Sequence, residues 1–109
     1  NENVAYLYSA FNPAVLRLIK HIIECGHAAG IEVGMCGEAA GNTMMIPLLL
    51  AFGLDEFSVS TGKVLETRRT IADWTLKEAE QVAVKAMTMS SEKEVSDYLS
   101  SYISDRKKN

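Results

Sequence analysis

One thiol stands among three glycines in the first half of this 109-residue chain. Cys36 lies between Gly34 and Gly37, and Gly41 follows a few residues later. Glycines at this spacing are typical of a tight loop in which the backbone bends sharply or approaches a ligand closely. An apolar run precedes the loop, and α/β proteins place their chemistry where strands end in such loops. The pattern predicts that Cys36 lies at the C-terminal end of a strand and makes it the first candidate for chemistry, although an isolated cysteine is more often a small buried hydrophobic residue than a catalyst.

Other chemistry is open to the remaining cysteine and the two histidines. His21 and Cys25 have the i, i+4 spacing of two metal ligands on one helix. A structural zinc site needs four convergent ligands, and only His27 and Cys36 remain to complete it. A cysteine hydrolase would need a histidine base beside its thiol, and no hydrolase motif surrounds Cys36. Both alternatives are weakly supported by the sequence, and Cys25 is predicted to be a packing residue.

Composition and charge exclude several classes of function. The formal net charge of −3 and the lack of a basic stripe argue against nucleic-acid binding. The longest apolar run, residues 44–52, is too short to span a bilayer, and no signal peptide is recognisable. Two cysteines do not make a disulfide scaffold, so we expect a reduced, cytoplasmic protein. The first residue is not methionine, and we expect the chain to be part of a longer protein.

Capping and turn signals predict the elements that hold the loop in place. Asn12 and Pro13 indicate the start of a helix that ends near Gly30. Helical spacing predicts that its buried face consists of Val15, Leu18, Ile19, Ile22 and Ile23. Short strands are predicted at residues 31–35 and 57–60.

Four further helices are predicted from caps and apolar spacing. They are residues 43–52 after a cap at Asn42 or Thr43, a helix from Val64, and two helices that begin in capping boxes at Thr75 and Ser91. Strands that alternate with helices indicate an α/β fold with parallel strands and right-handed crossovers. Parallel sheets need cover on both faces and usually more than two strands. We therefore expect the chain to be a fragment of a larger α/β domain.

Four separated blocks agree in order and spacing with a known family: residues 11–20 (FNPAVLRLIK), 34–38 (GMCGE), 47–50 (PLLL) and 53–60 (GLDEFSVS). The sequence resembles enzyme I of the bacterial phosphoenolpyruvate-dependent sugar phosphotransferase system over nearly its whole length, most weakly after Trp74. Pyruvate phosphate dikinase and phosphoenolpyruvate synthase are similar around the Cys-Gly loop but less so in the last block. A fragment of that type is the alternative interpretation.

The resemblance implies a fold for the whole fragment. Residues 1–109 would be the C-terminal part of a phosphoenolpyruvate-binding TIM (β/α)8 barrel: about the last two βα units, a preceding helix and the C-terminal helices. Residues 31–36 and 56–60 would be its seventh and eighth strands, with Cys36 on the catalytic face. A whole barrel needs about 250 residues. The isolated chain is therefore expected to be inactive and to self-associate as a homodimer or a domain-swapped oligomer.

The resemblance also implies a function. The whole protein would be a transferase of the kinase type that serves sugar transport. It would take the phosphoryl group from phosphoenolpyruvate, place it on a histidine of a missing N-terminal domain and pass it to the phosphocarrier protein HPr. Cys36 would protonate the enolate to pyruvate. A thiol suits this role because its ordinary pKa of about 8.5 keeps it mostly protonated at neutral pH while it can still donate its proton to the enolate.

Several site residues are predicted around this acid, and others are missing. Gly34, Gly37 and Glu38 are expected to support the loop or the substrate, and a nearby Glu38 carboxylate would disfavour the thiolate. The family usually has aspartate where this chain has Asn42, a change expected to be structurally neutral. The magnesium ligands, the substrate-binding arginines and the phosphorylated histidine of the family have no counterpart in this chain. A non-catalytic oligomerisation module, with a structural Cys36, is the remaining alternative.

Overall fold

The computed structural model describes residues 10–108, without the side chain of Glu38. The predicted single fragment also includes residues 1–9 and 109, which lie outside this description. The elements are α1 (Pro13–Ala28), β1 (Gly34–Cys36), α2 (Glu38–Gly41), α3 (Ile46–Phe52), β2 (Glu56–Ser58), a 3-10 turn (Thr61–Lys63), α4 (Val64–Asp73), α5 (Leu76–Ala86) and α6 (Glu92–Lys108). Within the described residues, no helix combines the length and apolar character needed to cross a membrane.

β1 and β2 form a two-stranded parallel sheet, which confirms the predicted strand direction. The register pairs Gly34 with Glu56, Met35 with Phe57 and Cys36 with Ser58. Met35 and Phe57 are half-buried and pack against the helical core. Side chains alternate between the two faces of a strand, so the flanking residues of both strands lie on the opposite, exposed face. Within residues 10–108, helices therefore cover only one face of this sheet.

α1 begins and ends as the sequence predicts. Asn12 is its N-cap, and the Oδ1 atom accepts a hydrogen bond of 2.9 Å from a backbone N–H of the first turn. At the other end, the N–H of Gly30 donates to the His27 carbonyl at 2.9 Å. The N–H of Ile31 donates to the Gly26 carbonyl at 3.0 Å. These two bonds make a Schellman motif, which satisfies the last carbonyls of the helix.

The buried face of α1 differs from the one that spacing alone predicts. Its buried residues are Pro13, Leu16, Ile23 and Gly26. Leu18 and Ile22, both predicted to be buried, are 57% and 52% exposed. The reason lies at Gly26, where the Val33 side chain packs so closely on the helix that an added Cβ would overlap Val33 Cγ2. This contact sets the rotation of α1 and leaves Leu18 and Ile22 as an exposed apolar stripe, called the α1 stripe below.

α3 begins later than its capping signals predict. The expected caps are Asn42 or Thr43, but the helix begins at Ile46 with Met45 as its N-cap. A helix capped at Thr43 would need a hydrogen bond from the N–H of residue 47, and Pro47 has none. The Asn42 side chain instead accepts a 3.0 Å bond from a backbone N–H two residues later, in a turn. The short helix α2, which no signal predicts, precedes that turn.

The hydrophobic core lies between α1, α3, α5 and α6, with α3 packed most extensively on α5. Its buried residues are Leu16, Ile23, Met45, Ile46, Leu48, Leu49, Phe52, Leu54, Trp74, Ala79, Val82, Ala83, Ala86, Val95 and Leu99. Both predicted capping residues act at their helices: Thr75 and Ser91 accept hydrogen bonds from the N–H groups of Glu78 and Glu94 at 3.1 and 3.2 Å.

Arg106 of α6 ties the C-terminal helix to the start of α5. Its guanidinium donates to the two carboxylate oxygens of Glu78 at 3.1 and 3.0 Å and to the Asp73 carbonyl at 2.6 Å. It also lies 3.9 Å from the centroid of the Trp74 ring. The hydrogen bonds from Arg106 hold the pKa of Glu78 below its usual value. The Glu78 carboxylate is therefore bound to Arg106 and, at 3.0 Å, to the Tyr102 hydroxyl, not to the helix start as a capping box predicts.

Candidate active site

The loops that leave β1 and β2 enclose a cleft at the C-terminal ends of both strands. Its volume is about 640 Å³. The lining residues are Gly37, Gly41, Asn42 and Thr43 from the first loop and Val59, Ser60, Lys63 and Glu66 from the second. Parallel pairing brings the carboxyl ends of the two strands to one edge, and that edge is where α/β folds bind ligands.

Cys36 is the last residue of β1 and directly precedes Gly37, which lines this cleft. Its thiol is free and exposed, and its register partner is Ser58 on the same face of the sheet. Gly37, the next residue, lines the cleft and has φ +91°, a conformation that residues with a side chain rarely adopt. The chain can therefore turn away directly after the thiol. The structure thus places Cys36 at the strand end that the glycine spacing predicts.

The exposed face of β2 adds polar groups beside Cys36. The Ser58 hydroxyl donates a 3.1 Å hydrogen bond to Oε1 of Glu56, two residues earlier on the same face. Sequence reasoning did not select these two residues. Alternation along the strand, combined with the parallel register, is the signal that places them on the face of Cys36.

The other predicted site residues have different positions. Gly34 lies inside β1 and not in the loop, and a Cβ there would lie 3.4 Å from the Cβ of Glu56. The backbone of Glu38 begins α2, and its side chain lies outside the described part of the structure. Asn42 lines the cleft and follows α2 as its C-cap.

His27 lies at the opposite end of the strands from Cys36. Its Nε2 atom is 2.7 Å from Oδ2 of Asp55, which also accepts a 2.8 Å hydrogen bond from the N–H of Val33. The bond from Val33 is the main cause that lowers the pKa of Asp55, and the bond with His27 adds to it. Asp55 thereby joins the end of α1 to the starts of β1 and β2. His27 is thus a structural residue and not the base of a cysteine hydrolase.

The four residues considered as zinc ligands do not lie together in the structure. His21 Nε2 lies 3.4 Å from the Cys25 Sγ on the exposed side of α1. Among the side chains that the structure describes, no three His, Cys, Asp or Glu residues are placed to hold a metal ion. His21, Cys25, His27 and Cys36 therefore do not form the four-ligand zinc site that was the weaker alternative. The described side chains likewise contain no group of carboxylates that could hold the magnesium ion implied by the resemblance.

The family model for the PEP-binding domain of PEP-utilising enzymes matches residues 1–76, and this chain belongs to that family. Its relatives are named phosphoenolpyruvate-protein phosphotransferase. The Bacillus subtilis (strain 168) protein is 50% identical over 95 residues, which are 87% of this chain and 17% of the relative. The Staphylococcus carnosus (strain TM300) protein is 45% identical over 102 residues, which are 94% of this chain and 18% of the relative. The chain thus spans less than a fifth of the length of these curated relatives.

Proposed function

We propose that this chain belongs to a phosphoenolpyruvate-dependent phosphotransferase and supplies the acid that completes its reaction. The observation that carries the proposal is the position of Cys36, an exposed thiol at the C-terminal end of β1, directly before a residue that lines the cleft. The name of these relatives supplies the substrate class, phosphoenolpyruvate, and the class of acceptor, a protein. The GMCGE block around the thiol is one of the four blocks that carry the resemblance to enzyme I.

The proposed step is a proton transfer from Cys36 to carbon. When phosphoenolpyruvate passes its phosphoryl group to an acceptor histidine, the enolate of pyruvate remains. Cys36 donates its Sγ–H proton to C3 of the enolate, the carbonyl of pyruvate forms, and water returns a proton to the thiolate. General acids of this kind must be protonated at the working pH, which a thiol is. In this scheme a Glu38 carboxylate close to the thiol would favour its protonated form.

The proposed setting of this step is a TIM (β/α)8 barrel in which residues 31–36 and 56–60 belong to the seventh and eighth strands. Two observations support it. The sheet is parallel, and helices cover only the face that carries Met35 and Phe57. In a closed barrel the helices lie outside, so the bare face of β1 and β2 would look into the barrel, with Cys36 at its C-terminal mouth.

The remaining parts of the reaction are proposed to lie outside this chain. They are the substrate-binding arginines, the magnesium ligands and the phosphorylated histidine of a further domain, which would transfer its phosphoryl group to HPr for sugar uptake. When bound, magnesium would neutralise charge on the phosphoryl and enolate oxygens. Neither His21 nor His27 is proposed as the phosphorylated residue. A cytoplasmic location is part of the same proposal.

Two alternatives predict different behaviour. A dikinase or synthase of the same family would share the cysteine loop, but the name of the two relatives described above favours the phosphotransferase. A non-catalytic oligomerisation module is favoured by one observation, the exposed α1 stripe of Leu18 and Ile22. In that case Cys36 would be structural.

Protection of the thiol by substrate tests the proposal. The whole protein is treated with a small alkylating reagent, with and without phosphoenolpyruvate and magnesium, and the modification of each cysteine is followed by peptide mass analysis. We expect phosphoenolpyruvate to slow modification of Cys36 severalfold. Cys25 is the internal control, because it is also exposed but lies on α1. Equal rates at Cys36 with and without substrate would contradict the catalytic assignment.

A further inference from the structure

Among the described residues that line the cleft, Lys63 is the one cationic side chain. It ends the 3-10 turn that leads from β2 into α4 and is exposed. Within the described part of the chain, no carboxylate forms an ion pair with Lys63, although Glu66 lines the same cleft. The ammonium group is therefore available to a ligand that enters the cleft.

The position of Lys63 is tied to the loop that carries the thiol. A Cβ placed on Gly41 would lie 3.5 Å from Cδ of Lys63, so the aliphatic part of the lysine lies beside that glycine. Gly41 ends α2, which begins two residues after Cys36. The lysine thus crosses from the loop after β2 to the loop after β1. Lys63 therefore lies at the end of the sheet at which β1 ends in Cys36.

We propose that Lys63 binds an anionic group of the small substrate in this cleft, either its phosphoryl group or its carboxylate. The inference rests on the proposed function, which supplies an anionic substrate, but it concerns a residue that the resemblance does not assign. Lysine is suited to this role because its ammonium group is a compact charge with three donors on a flexible stem. Ser60, Asn42 and Thr43 line the same cleft with neutral polar groups.

A purely structural role for Lys63 makes a different prediction. If the stem only packs beside Gly41, a side chain of similar length without charge should serve equally well. Lys63→Met keeps the stem and removes the charge, whereas Lys63→Arg keeps the charge. Lys77→Met is the matched control, since Lys77 is an exposed lysine of α5 outside the cleft.

Steady-state kinetics of the whole protein with phosphoenolpyruvate as the varied substrate tests the inference. We expect K63M to raise KM about tenfold, the usual effect of losing a charged hydrogen bond. We expect kcat to change much less, K63R to retain most of the affinity, and K77M to behave as the wild type. An unchanged KM in K63M, or a loss in K63M that K63R does not restore, would overturn the inference.

Two inhibitors distinguish which anionic group the lysine binds. Inorganic phosphate represents the phosphoryl group, and oxalate represents the carboxylate and enolate part of the substrate. If Lys63 binds the phosphoryl group, K63M should weaken inhibition by phosphate and leave inhibition by oxalate unchanged. The reverse pattern would assign the carboxylate. Equal inhibition of K63M and the wild type by both anions would contradict anion binding by Lys63.

Measuring the kinetics of Cys36→Ala beside those of K63M separates this inference from the proposed function. Loss of turnover in Cys36→Ala together with normal KM in K63M would remove only the role of Lys63. Normal turnover in Cys36→Ala would remove the catalytic assignment, whatever K63M does. Raised KM in K63M together with lost turnover in Cys36→Ala would support both.

Discussion

At the scale of single residues, Cys36 and Lys63 divide the proposed work between proton transfer and binding. Cys36 ends β1 and presents a free thiol, and Lys63 lines the cleft from the neighbouring loop. A group that acts in the transition state and a group that binds the ground state have different kinetic signatures. The two residues can therefore be tested independently in the same protein.

Replacing Cys36 with alanine in the whole protein should lower kcat by about 10²- to 10⁴-fold, the usual contribution of a positioned general acid. KM for phosphoenolpyruvate should change little, because the thiol is needed only when the enolate is protonated. Steady-state kinetics measures both constants. Cys25→Ala is the control, since it removes an exposed thiol from α1 without touching the strand end. An unchanged kcat in C36A would remove Cys36 from the mechanism.

Residue positions that depend on local signals could be predicted from the sequence, and those that depend on strand register could not. The Asn12 cap and the position of Cys36 at a strand end follow from neighbouring residues. Lys63 and Ser58 come close to the thiol loop only because β2 pairs with β1 in one particular register. No residue near Lys63 in sequence signals that pairing.

At the scale of helices and strands, the contact between Gly26 and Val33 sets how α1 lies against β1. Apolar spacing correctly predicts a helix, but α1 has apolar residues on more than one face, so spacing cannot select the buried one. The packing of Val33 on the bare backbone of Gly26 selects it. For α3, the missing N–H of Pro47 outweighs two good capping residues. In both cases a steric or covalent constraint outweighs a statistical preference.

Gly26→Ala should destabilise the protein by about 1–3 kcal/mol, because the new Cβ overlaps Val33 Cγ2. Alanine has a higher intrinsic helix propensity than glycine, which by itself would stabilise the variant by about 1 kcal/mol. The overlap with Val33 acts against this gain. Gly62→Ala is the control, since a Cβ at Gly62 meets nothing within 4 Å. Thermal denaturation measures both variants. Val33→Ala should partly rescue Gly26→Ala, and equal stability of G26A and G62A would contradict this account of the contact.

Glu78→Gln should loosen α6 near neutral pH and have less effect in acid. The folded-state pKa of Glu78 is lowered, chiefly by Arg106, so the ionised carboxylate stabilises the folded state above the unfolded pKa of about 4.3. That contribution is lost as the pH falls through the lower folded value. Limited proteolysis within α6 should therefore be faster in E78Q than in the wild type at pH 7.

In acid the difference in proteolysis between E78Q and the wild type should disappear, which pepsin can test. Asp97→Asn is the control for removal of an ion pair on the same helix. The Lys93–Asp97 pair is 2.6 Å long, but its side chains are 84% and 66% exposed, and such pairs contribute little. Equal cleavage of E78Q and D97N at pH 7 would show that the Arg106 cluster does not hold α6.

At the scale of the whole molecule, the chain has a closed helical core but an open sheet. Large apolar side chains on its surface are Leu18, Ile22, Ile31, Val64, Leu65, Leu76 and Val84. The α/β class and the parallel strands could be predicted from the alternation of elements. Closure of the proposed barrel would depend on strands outside the described residues, and no pattern within those residues specifies them.

The isolated chain should self-associate and show no phosphotransferase activity. Within the described residues, β1 and β2 each have one unpaired edge, which favours contact with a second copy. The exposed α1 stripe favours the same contact. Light scattering over a range of concentrations should show a mass above that of the 12.0 kDa monomer. Replacing both Leu18 and Ile22 with serine should weaken association, whereas Lys20→Ser on the same helix should not. A monomer at all concentrations, or activity without further domains, would contradict this expectation.

The shortness of β1 and β2 has a consequence for hydrogen exchange. Each strand has only three residues, so few backbone bonds hold the segment that ends in Cys36. Amide protons of this segment should exchange rapidly in the isolated chain, because local opening there costs little free energy. In the whole protein, further strands and bound substrate should slow that exchange, while amides in α5 change less. The ratio of the two exchange rates would measure, as a free energy of local opening, how much the rest of the protein contributes to holding the thiol in place.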